Sequence, residues 1–427
     1  MVKNRKATEA FNEWGGPTYY PGGKTPQVGE VFRQPNLAAT LRRIVAAEKA
    51  AKASGKNRIA AIQAGRDDFY KGETAKKMAA AQKAAGGVMT YEDLANYTGR
   101  IEEAVSVKFH DIEVYKCGFW NQGPVLLQTL NILEGFDLAK MGHNSAEYLH
   151  TVTEAMKLAY DDRNAFYGDP LFVKVPGKGL LSKEYAASRR AQITAKAELG
   201  HRPGDPYAFD KTVAKPAQLY MPHPQGKVVG SNSDTTSIAV GDAKGNLFSC
   251  TPSSGWIGRG AFIAGDTGVP MSNRMTVFDL DPLSPNVLEG GKRPRTTLSP
   301  SIVFKNGKPY MAIGTPGADN QDQQILSVLL SHEIFKMGLQ ESIEAARLST
   351  THFHASFFNH MDSPGVIQVE NRIGPEVQAE LKARGHVVKE TTAFGMSTGI
   401  VLVAIRPDTG TLIGAADPRR ERYVFGY

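Results

Sequence analysis

Four stretches of this 427-residue chain carry side chains that chemistry could use. The first is Gly230-Ser-Asn-Ser-Asp234-Thr235-Thr236-Ser237-Ile-Ala-Val240, where a polar segment runs straight into a strand that opens with two threonines. An ordinary loop-to-strand boundary reads the same way, because Thr favours strands and Asn, Ser and Asp favour turns. The chemical reading is a chain that cuts itself between Asp234 and Thr235. A threonine hydroxyl is a poor nucleophile until a base sits beside it, and a Thr235 that has become an N-terminus can use its own α-amine as that base. The second stretch is Gly314-Thr-Pro-Gly317-Ala318-Asp319-Asn320, between a predicted strand and a helix starting at Gln321. Backbone N–H groups at such a place are unpaired and point outward, so they suit a developing oxyanion. The plain alternative is a turn with Asp319 or Asn320 as the helix cap.

The other two stretches promise less. Gly395-Met-Ser397-Thr-Gly399 matches the G-x-S-x-G nucleophile elbow, which needs a strand followed by a helix. Strand pattern lies on both sides here, so the glycines are expected to serve a hairpin-type loop. His352, His354 and His360 have the spacing H-x-H-x5-H, which fits no common zinc signature. The intervening Phe353, Phe357 and Phe358 point to packing, and no metal is expected.

The elements that must position these residues fall into two textures. Up to about residue 170 the pattern is mainly helical, with alanine-rich amphipathic helices expected over 36–53 and 58–85. Thr90-Tyr-Glu-Asp93 is a capping box, Val107–Tyr115 alternates like one strand, and 124–136 and 144–160 read as helices. Residues 165–230 read as a long irregular connection. Beyond residue 234 the texture becomes strands and hairpins. Strands over 237–240 and 247–251 flank a turn at Asp242-Ala-Lys-Gly-Asn246, and strands over 301–304 and 309–313 flank Asn306-Gly307. Helices over 321–336 and 375–384 end at Gly338 and Gly385. Strands over 389–394 and 399–405 follow, with a last turn at Pro407-Asp-Thr-Gly410.

Composition narrows the function classes. With 41% apolar and 22% charged residues, the chain excludes disorder, collagen and coiled coil. No apolar run approaches a membrane span, and the basic N-terminus lacks the apolar stretch of a signal peptide. The net charge of +7 is spread over alanine-interleaved helix faces, with no recognition motif or interleaved aromatics, so nucleic acid is not an expected partner. Cys117 and Cys250 give no disulfide framework.

Several motifs in order resemble the γ-glutamyltransferase (γ-glutamyltranspeptidase, glutathione hydrolase) family of N-terminal-nucleophile hydrolases. They are Asp234-Thr-Thr-Ser-Ile-Ala-Val-Gly-Asp-Ala-Lys-Gly-Asn246, Gly265-Asp-Thr-Gly268 with Ser272-Asn-Arg-Met275, Lys292-Arg-Pro-Arg-Thr-Thr-Leu-Ser-Pro300, Gly314-Thr-Pro-Gly317 and Ala416-Asp-Pro-Arg419. Upstream, Gly87-Val-Met-Thr-Tyr-Glu-Asp-Leu-Ala-Asn-Tyr97, Tyr160-Asp-Asp-Arg163 and Tyr167-Gly-Asp-Pro170 fit the family's large subunit. The resemblance implies an α/β (α+β) fold, a four-layer αββα sandwich, here an incomplete one. It implies self-cleavage into a 1–234 piece and a 235–427 piece that stay associated, with no metal or organic cofactor. Thr235 would attack a γ-glutamyl amide, with Thr236 supporting it. Thr296 and Thr297 match the hydroxyls that hold the substrate's α-carboxylate, and the backbone of Gly317 and Ala318 matches the oxyanion hole. Relatives are often periplasmic or extracellular.

This chain departs from the family's pattern at several places. Ala318 stands where the family usually has Gly, so the donor survives only if Ala takes the required backbone angles. Where transpeptidases place acceptors for the substrate's α-ammonium, this chain offers Ser253 or Ser254, Arg274 and Val277. A cation and an apolar residue cannot hold an ammonium, which suggests an acyl group with a carboxylate and no amine, as in a glutaryl-type acylase. Only thirteen residues separate Phe278 from Lys292, too few for the long lid of some relatives. Family members also carry a front segment that supplies core strands and a carboxylate-gripping arginine. Two further readings follow: a non-catalytic or partner-dependent fragment, and half of a split enzyme with a separate N-terminal partner chain.

Overall fold

The computed structural model describes residues 15–225, 234–254 and 262–426, so Gly230–Ser233 of the proposed cleavage segment lie outside the described residues. The chain forms two compact units, one of residues 1–101, 232–234 and 254–273, the other of 102–231, 235–253 and 274–427.

The first unit is built on helices α1 (Pro35–Ala53), α2 (Arg58–Lys71) and α3 (Glu73–Ala84). The expected single helix over 58–85 breaks at Gly72. A Cβ there would lie 2.3 Å from the Asp68 carbonyl oxygen, so only glycine lets the chain leave α2 and restart as α3. The capping box at Thr90 is present, with the Thr90 and Asp93 side chains closing on each other's backbone. Ala75, Met78, Leu94, Ala264 and Met271 form this unit's apolar core. Gly268, at φ 70°, takes a left-handed turn that lets it approach within contact of the Leu37 backbone.

The second unit holds a six-stranded antiparallel sheet. Its strands are β1 (Val105–Phe109), β2 (Ile112–Lys116), β5 (Ser301–Lys305), β6 (Lys308–Gly314), β10 (Val401–Ile405) and β11 (Leu412–Ala416), in the order β1-β2-β5-β6-β10-β11. The stretch 107–115, expected as one strand, is a hairpin turning at His110, whose φ is 53°. Its alternation survives the turn because Phe109 and Ile112 face each other in register and both bury. Helices α4 (Pro124–Leu133), α5 (Ala146–Phe166) and α7 (Gln321–Glu333) share one buried apolar cluster with this sheet.

On the other side a hairpin of β3 (Ile238–Gly241) and β4 (Leu247–Cys250) packs over β6 and β10. Gly314 of β6 makes the close approach possible, since a Cβ there would touch Ser237, Ser249 and Thr251 at 3.4 Å. Helices, sheet and hairpin give the α, β and β layers of the expected sandwich. The hairpin's outer face carries Ile238, Val240 and Phe248, each about half exposed, at 47%, 49% and 56%.

Two expectations change. Residues 165–230 are not wholly irregular, because helix α6 (Lys183–Arg190) docks there with Tyr185 and Arg189 buried. A second sheet was not foreseen, in which β8 (Val366–Glu370) pairs parallel to β9 (Val387–Thr391) and antiparallel to β7 (Leu348–Thr350). Helix α8 (Pro375–Ala383) joins β8 to β9. Among the described residues both cysteines are free thiols, and no helix is long and apolar enough to cross a membrane.

Candidate active site

Thr235 closes the two-residue strand Asp234–Thr235, which pairs with Ser253–Ser254. Its side chain is buried, and its Oγ1 lies 2.9 Å from the Ser253 Oγ. The Ser253 hydroxyl also accepts from Arg274 Nη2 at 2.5 Å, and Arg274 Nη1 reaches Thr297 Oγ1 at 3.4 Å. Burial pushes the Arg274 guanidinium down to about 10, only partly opposed by the Asp319 charge, which leaves a cation at neutral pH. A guanidinium thus stands one hydroxyl away from Thr235. The Phe357 ring packs on Arg274, 5.4 Å from its guanidinium carbon. The Thr236 N–H donates to the Pro252 carbonyl at 3.1 Å. The side chains of Asp234 and Ser254 lie outside the described residues.

Thr296 and Thr297 sit side by side on the strand-like run that leads into β5. The Thr296 hydroxyl accepts from Asn121 Nδ2 at 3.0 Å, and its backbone bridges to Trp120 and Gln122. Its own proton is therefore available to a ligand, as is that of Thr297. Gln122 continues the circuit, donating from Nε2 to the Ala318 carbonyl at 3.1 Å.

Gly317 and Ala318 form the turn that ends in helix α7. Gly317 has φ 131° and Ala318 has φ 51°, so both take left-handed backbone. A Cβ on Gly317 would lie 3.0 Å from the Thr398 methyl and 3.2 Å from the Ser397 carbonyl. That contact gives the Gly395–Gly399 loop its place. It joins β9 to β10 with no helix following, Ser397 is exposed, and Gly399 N–H donates to Thr315 Oγ1 at 3.1 Å. The loop backs the turn and is no nucleophile elbow.

Beneath the turn lies a set of residues to which the sequence reading gave no role apart from Asp319 as a helix cap, and the N-cap of α7 is Asn320 instead. Asp319 takes a hydrogen bond and ion pair from Arg163, and accepts from the Ser356 N–H at 2.9 Å and hydroxyl at 2.5 Å. Burial alone would raise the Asp319 carboxyl, but the Arg163 charge and the Ser356 bonds outweigh it and hold it below the usual carboxylate range. Arg163 also donates to Gln122 at 3.1 Å and to the His354 carbonyl at 2.8 Å. The Tyr160 hydroxyl donates to the Asp319 carbonyl at 2.5 Å. The run Tyr160-Asp-Asp-Arg163 was visible as a motif. Its signal was charge on a helix with no exposed face, since a buried ion must find a partner.

Of the three histidines, His352 and His354 gather around His201, which no motif flagged, while His360 points elsewhere, toward the Ala355 and Phe278 carbonyls. The segment between Phe278 and Lys292 folds tightly on itself, with Ser284 and Asn286 tied to Asp279 and Val277.

A family described as Gamma-glutamyltranspeptidase matches residues 4–427. The glutathione hydrolase proenzyme of Escherichia coli K12 is 31% identical over 413 residues, covering 94% of this chain and 63% of its own length. The acylase ACY 1 proenzyme of Pseudomonas sp. SE83 is 32% identical over 399 residues, 93% of this chain and 62% of that protein. This chain therefore spans a little under two thirds of either relative. The crystal structure of a cephalosporin acylase from Bacillus halodurans superposes with a TM-score of 0.77 at 29% identity, covering 97% of this chain and 68% of that one.

Proposed function

The chain belongs to the gamma-glutamyltranspeptidase family of N-terminal-nucleophile fold, and from that premise we propose an amidohydrolase or acyltransferase in which Thr235 is the nucleophile. In the uncut chain the Thr235 nitrogen is an amide and cannot act as a base. Cleavage between Asp234 and Thr235 frees it. The amine then takes the Thr235 Oγ1 proton as that oxygen adds to the carbonyl carbon of an amide. The backbone N–H groups of Gly317 and Ala318 stabilise the resulting oxyanion. Collapse expels the amine, which leaves with the proton held by the Thr235 ammonium, and an ester remains on Oγ1. Water or a second amine attacks that ester and regenerates the hydroxyl.

The observation that carries this reading is the Thr235–Ser253–Arg274 relay. It links the Thr235 hydroxyl through Ser253 to Arg274 and Thr297, which in this reading would seat a carboxylate together with Thr296. That seat suits the carboxylate of a γ-glutamyl group. A second reading, an acylase for a glutaryl-type group, is favoured by Arg274 itself, because a buried cation near the acyl pocket disfavours an α-ammonium. Among the described residues the segment between Phe278 and Lys292 is compact, and a short segment there favours water as acceptor.

The two pieces would remain together after cleavage. Strand β2 pairs with β5 along its whole length, and Lys116–Asp322 at 2.9 Å and Arg293–Asp169 at 3.0 Å are ion pairs between residues on either side of the cut.

Intact mass of the purified protein tests the reading. Scaling 46.3 kDa by 234/427 and 193/427 gives pieces of roughly 25 and 21 kDa when the nucleophile is freed. Two such masses, the smaller starting at Thr235, support the proposal. A single uncut mass, with no turnover of γ-glutamyl or glutaryl amides, favours a non-catalytic fragment or one that needs a separate N-terminal partner chain.

A further inference from the structure

His201 lies between two carboxylates, its Nδ1 2.8 Å from Asp161 and its Nε2 2.8 Å from Asp362. His354 packs against it with ring centroids 4.3 Å apart. His354 is 5% exposed, and its Nδ1 lies 3.2 Å from the His360 carbonyl. A carbonyl only accepts, so Nδ1 carries the proton and the lone pair is on Nε2. That Nε2 is buried and has no hydrogen-bond partner. A buried acceptor left unmatched costs about 1–3 kcal/mol, and a ligand that takes its lone pair would offset that cost. The ligand-capable atoms of His201, His354 and Asp362 all lie within 4.8 Å of one another.

We propose that His201 Nε2, His354 Nε2 and an Asp362 carboxylate oxygen bind a zinc-class divalent ion. Both histidines already have the outer partner that such sites use. The Asp161 carboxylate holds the Nδ1 of His201, and the His360 carbonyl holds the Nδ1 of His354, fixing both rings with Nε2 toward the ion. Two imidazoles and one carboxylate suit zinc and its neighbours, whereas calcium and magnesium prefer all-oxygen shells. Bonds of about 2.0–2.1 Å at tetrahedral angles set ligand atoms about 3.3 Å apart, which asks the 2.8 Å His201–Asp362 contact to open and the rest of the cluster, within 4.8 Å, to close around the ion. The His201 and Asp362 side chains are 18% and 19% exposed, so water can reach a fourth position.

His352 sits beside this group in a different role. It accepts the Gly365 N–H on Nδ1, so its proton is on Nε2, and burial drives its pKa down to about 4, which keeps it neutral. The other histidine pair, His150 with His386, adjoins Glu154, but that carboxylate already holds Lys157 Nζ at 2.6 Å. It is the natural control.

His201 precedes Thr235 and the other two ligands follow it, so the ion would tie the two sides of the proposed cut. It would sit beside the brace of the Gly317–Ala318 turn, since Arg163 bonds both Asp319 and the His354 carbonyl.

The full chain, stripped with chelator and titrated with zinc chloride by calorimetry, tests this without any turnover assay, so its outcome is separate from that of Thr235. One equivalent should bind. Asp362→Asn and His354→Gln should abolish that binding, His386→Ala should leave it unchanged, and Asp161→Asn should weaken it about ten- to a hundredfold. Cobalt loaded into the unaltered chain should give the visible bands of a tetrahedral N/O site, which covers the case in which a variant does not fold. No uptake by the unaltered chain, or uptake that survives Asp362→Asn and vanishes in His386→Ala, would overturn the proposal. The first result would leave His201 as an imidazolium shared by two carboxylates.

Discussion

The Arg163 guanidinium and the Asp319 carboxylate, 156 residues apart in the chain, meet as a buried ion pair directly behind the Gly317–Ala318 turn. Removing one partner of a buried pair strands the other, at a cost of about 3–5 kcal/mol. Arg163→Gln should therefore lower the unfolding free energy by that order and slow release of the roughly 21 kDa piece. The pair also sets an acid limb. Asp319 has a depressed carboxyl pKa, so its contribution is whole above the unfolded value and disappears as pH falls through the folded one. Chemical denaturation from pH 6 down to pH 2 should show a shallower decline in Arg163→Gln than in the unaltered protein.

Gly317 and Ala318 should respond oppositely to exchange. Gly317→Ala places a methyl group against Thr398 and Ser397, and should cost stability and most of the turnover. Ala318→Gly removes an alanine from left-handed backbone, and should change stability by no more than about 1 kcal/mol while keeping activity. Equal losses in both would show that the turn's shape does not matter to the reaction.

Arg274→Gln should separate the two substrate readings. A hydrogen bond to a charged group is worth about 1.5–3 kcal/mol, so kcat/KM for a glutaryl anilide should fall about ten- to a hundredfold. A γ-glutamyl anilide should lose less, since its ammonium no longer faces a cation. The unaltered protein should prefer the glutaryl compound, and a clear preference for γ-glutamyl would remove the argument from Arg274.

Ser397→Ala should leave turnover within about twofold, because that side chain is exposed and lies on the loop behind the turn. Ser253→Ala should slow both maturation and turnover, since it removes the hydroxyl that links Thr235 to Arg274. Turnover assays on both variants, with piece formation by Ser253→Ala followed by mass spectrometry, would check these outcomes.

Much of this site was legible because its residues lie in short, ordered motifs. Thr235, Gly317 and Ala318 could be picked out as candidates from type and position, whereas Thr296 and Thr297 came from the family resemblance alone. Asn121, Gln122 and Arg163 could not be assigned roles, and Asp319 only that of a helix cap, because what they do is set by residues far away in the chain. His201 shows the same limit. A single histidine in a polar stretch gives no periodicity or spacing to read, and only the fold brings it to His354 and Asp362. Among the elements, Asn306-Gly307 marked its hairpin openly, whereas the turn at His110 was hidden inside an unbroken alternation. The β7–β8–β9 sheet escaped because its pairing partners are separated by a helix and long loops.

The register between β2 and β5 bears on how the protein recovers from denaturation. In one continuous chain those strands find each other in a first-order process, whose rate does not depend on protein concentration. Severing the chain before Thr235 makes the same pairing an encounter of two molecules, so refolding becomes second order and fails on dilution. The mature form would then be held by the height of its unfolding barrier and not by reversible equilibrium. Heat or denaturant would destroy it for good under conditions from which the uncut precursor returns.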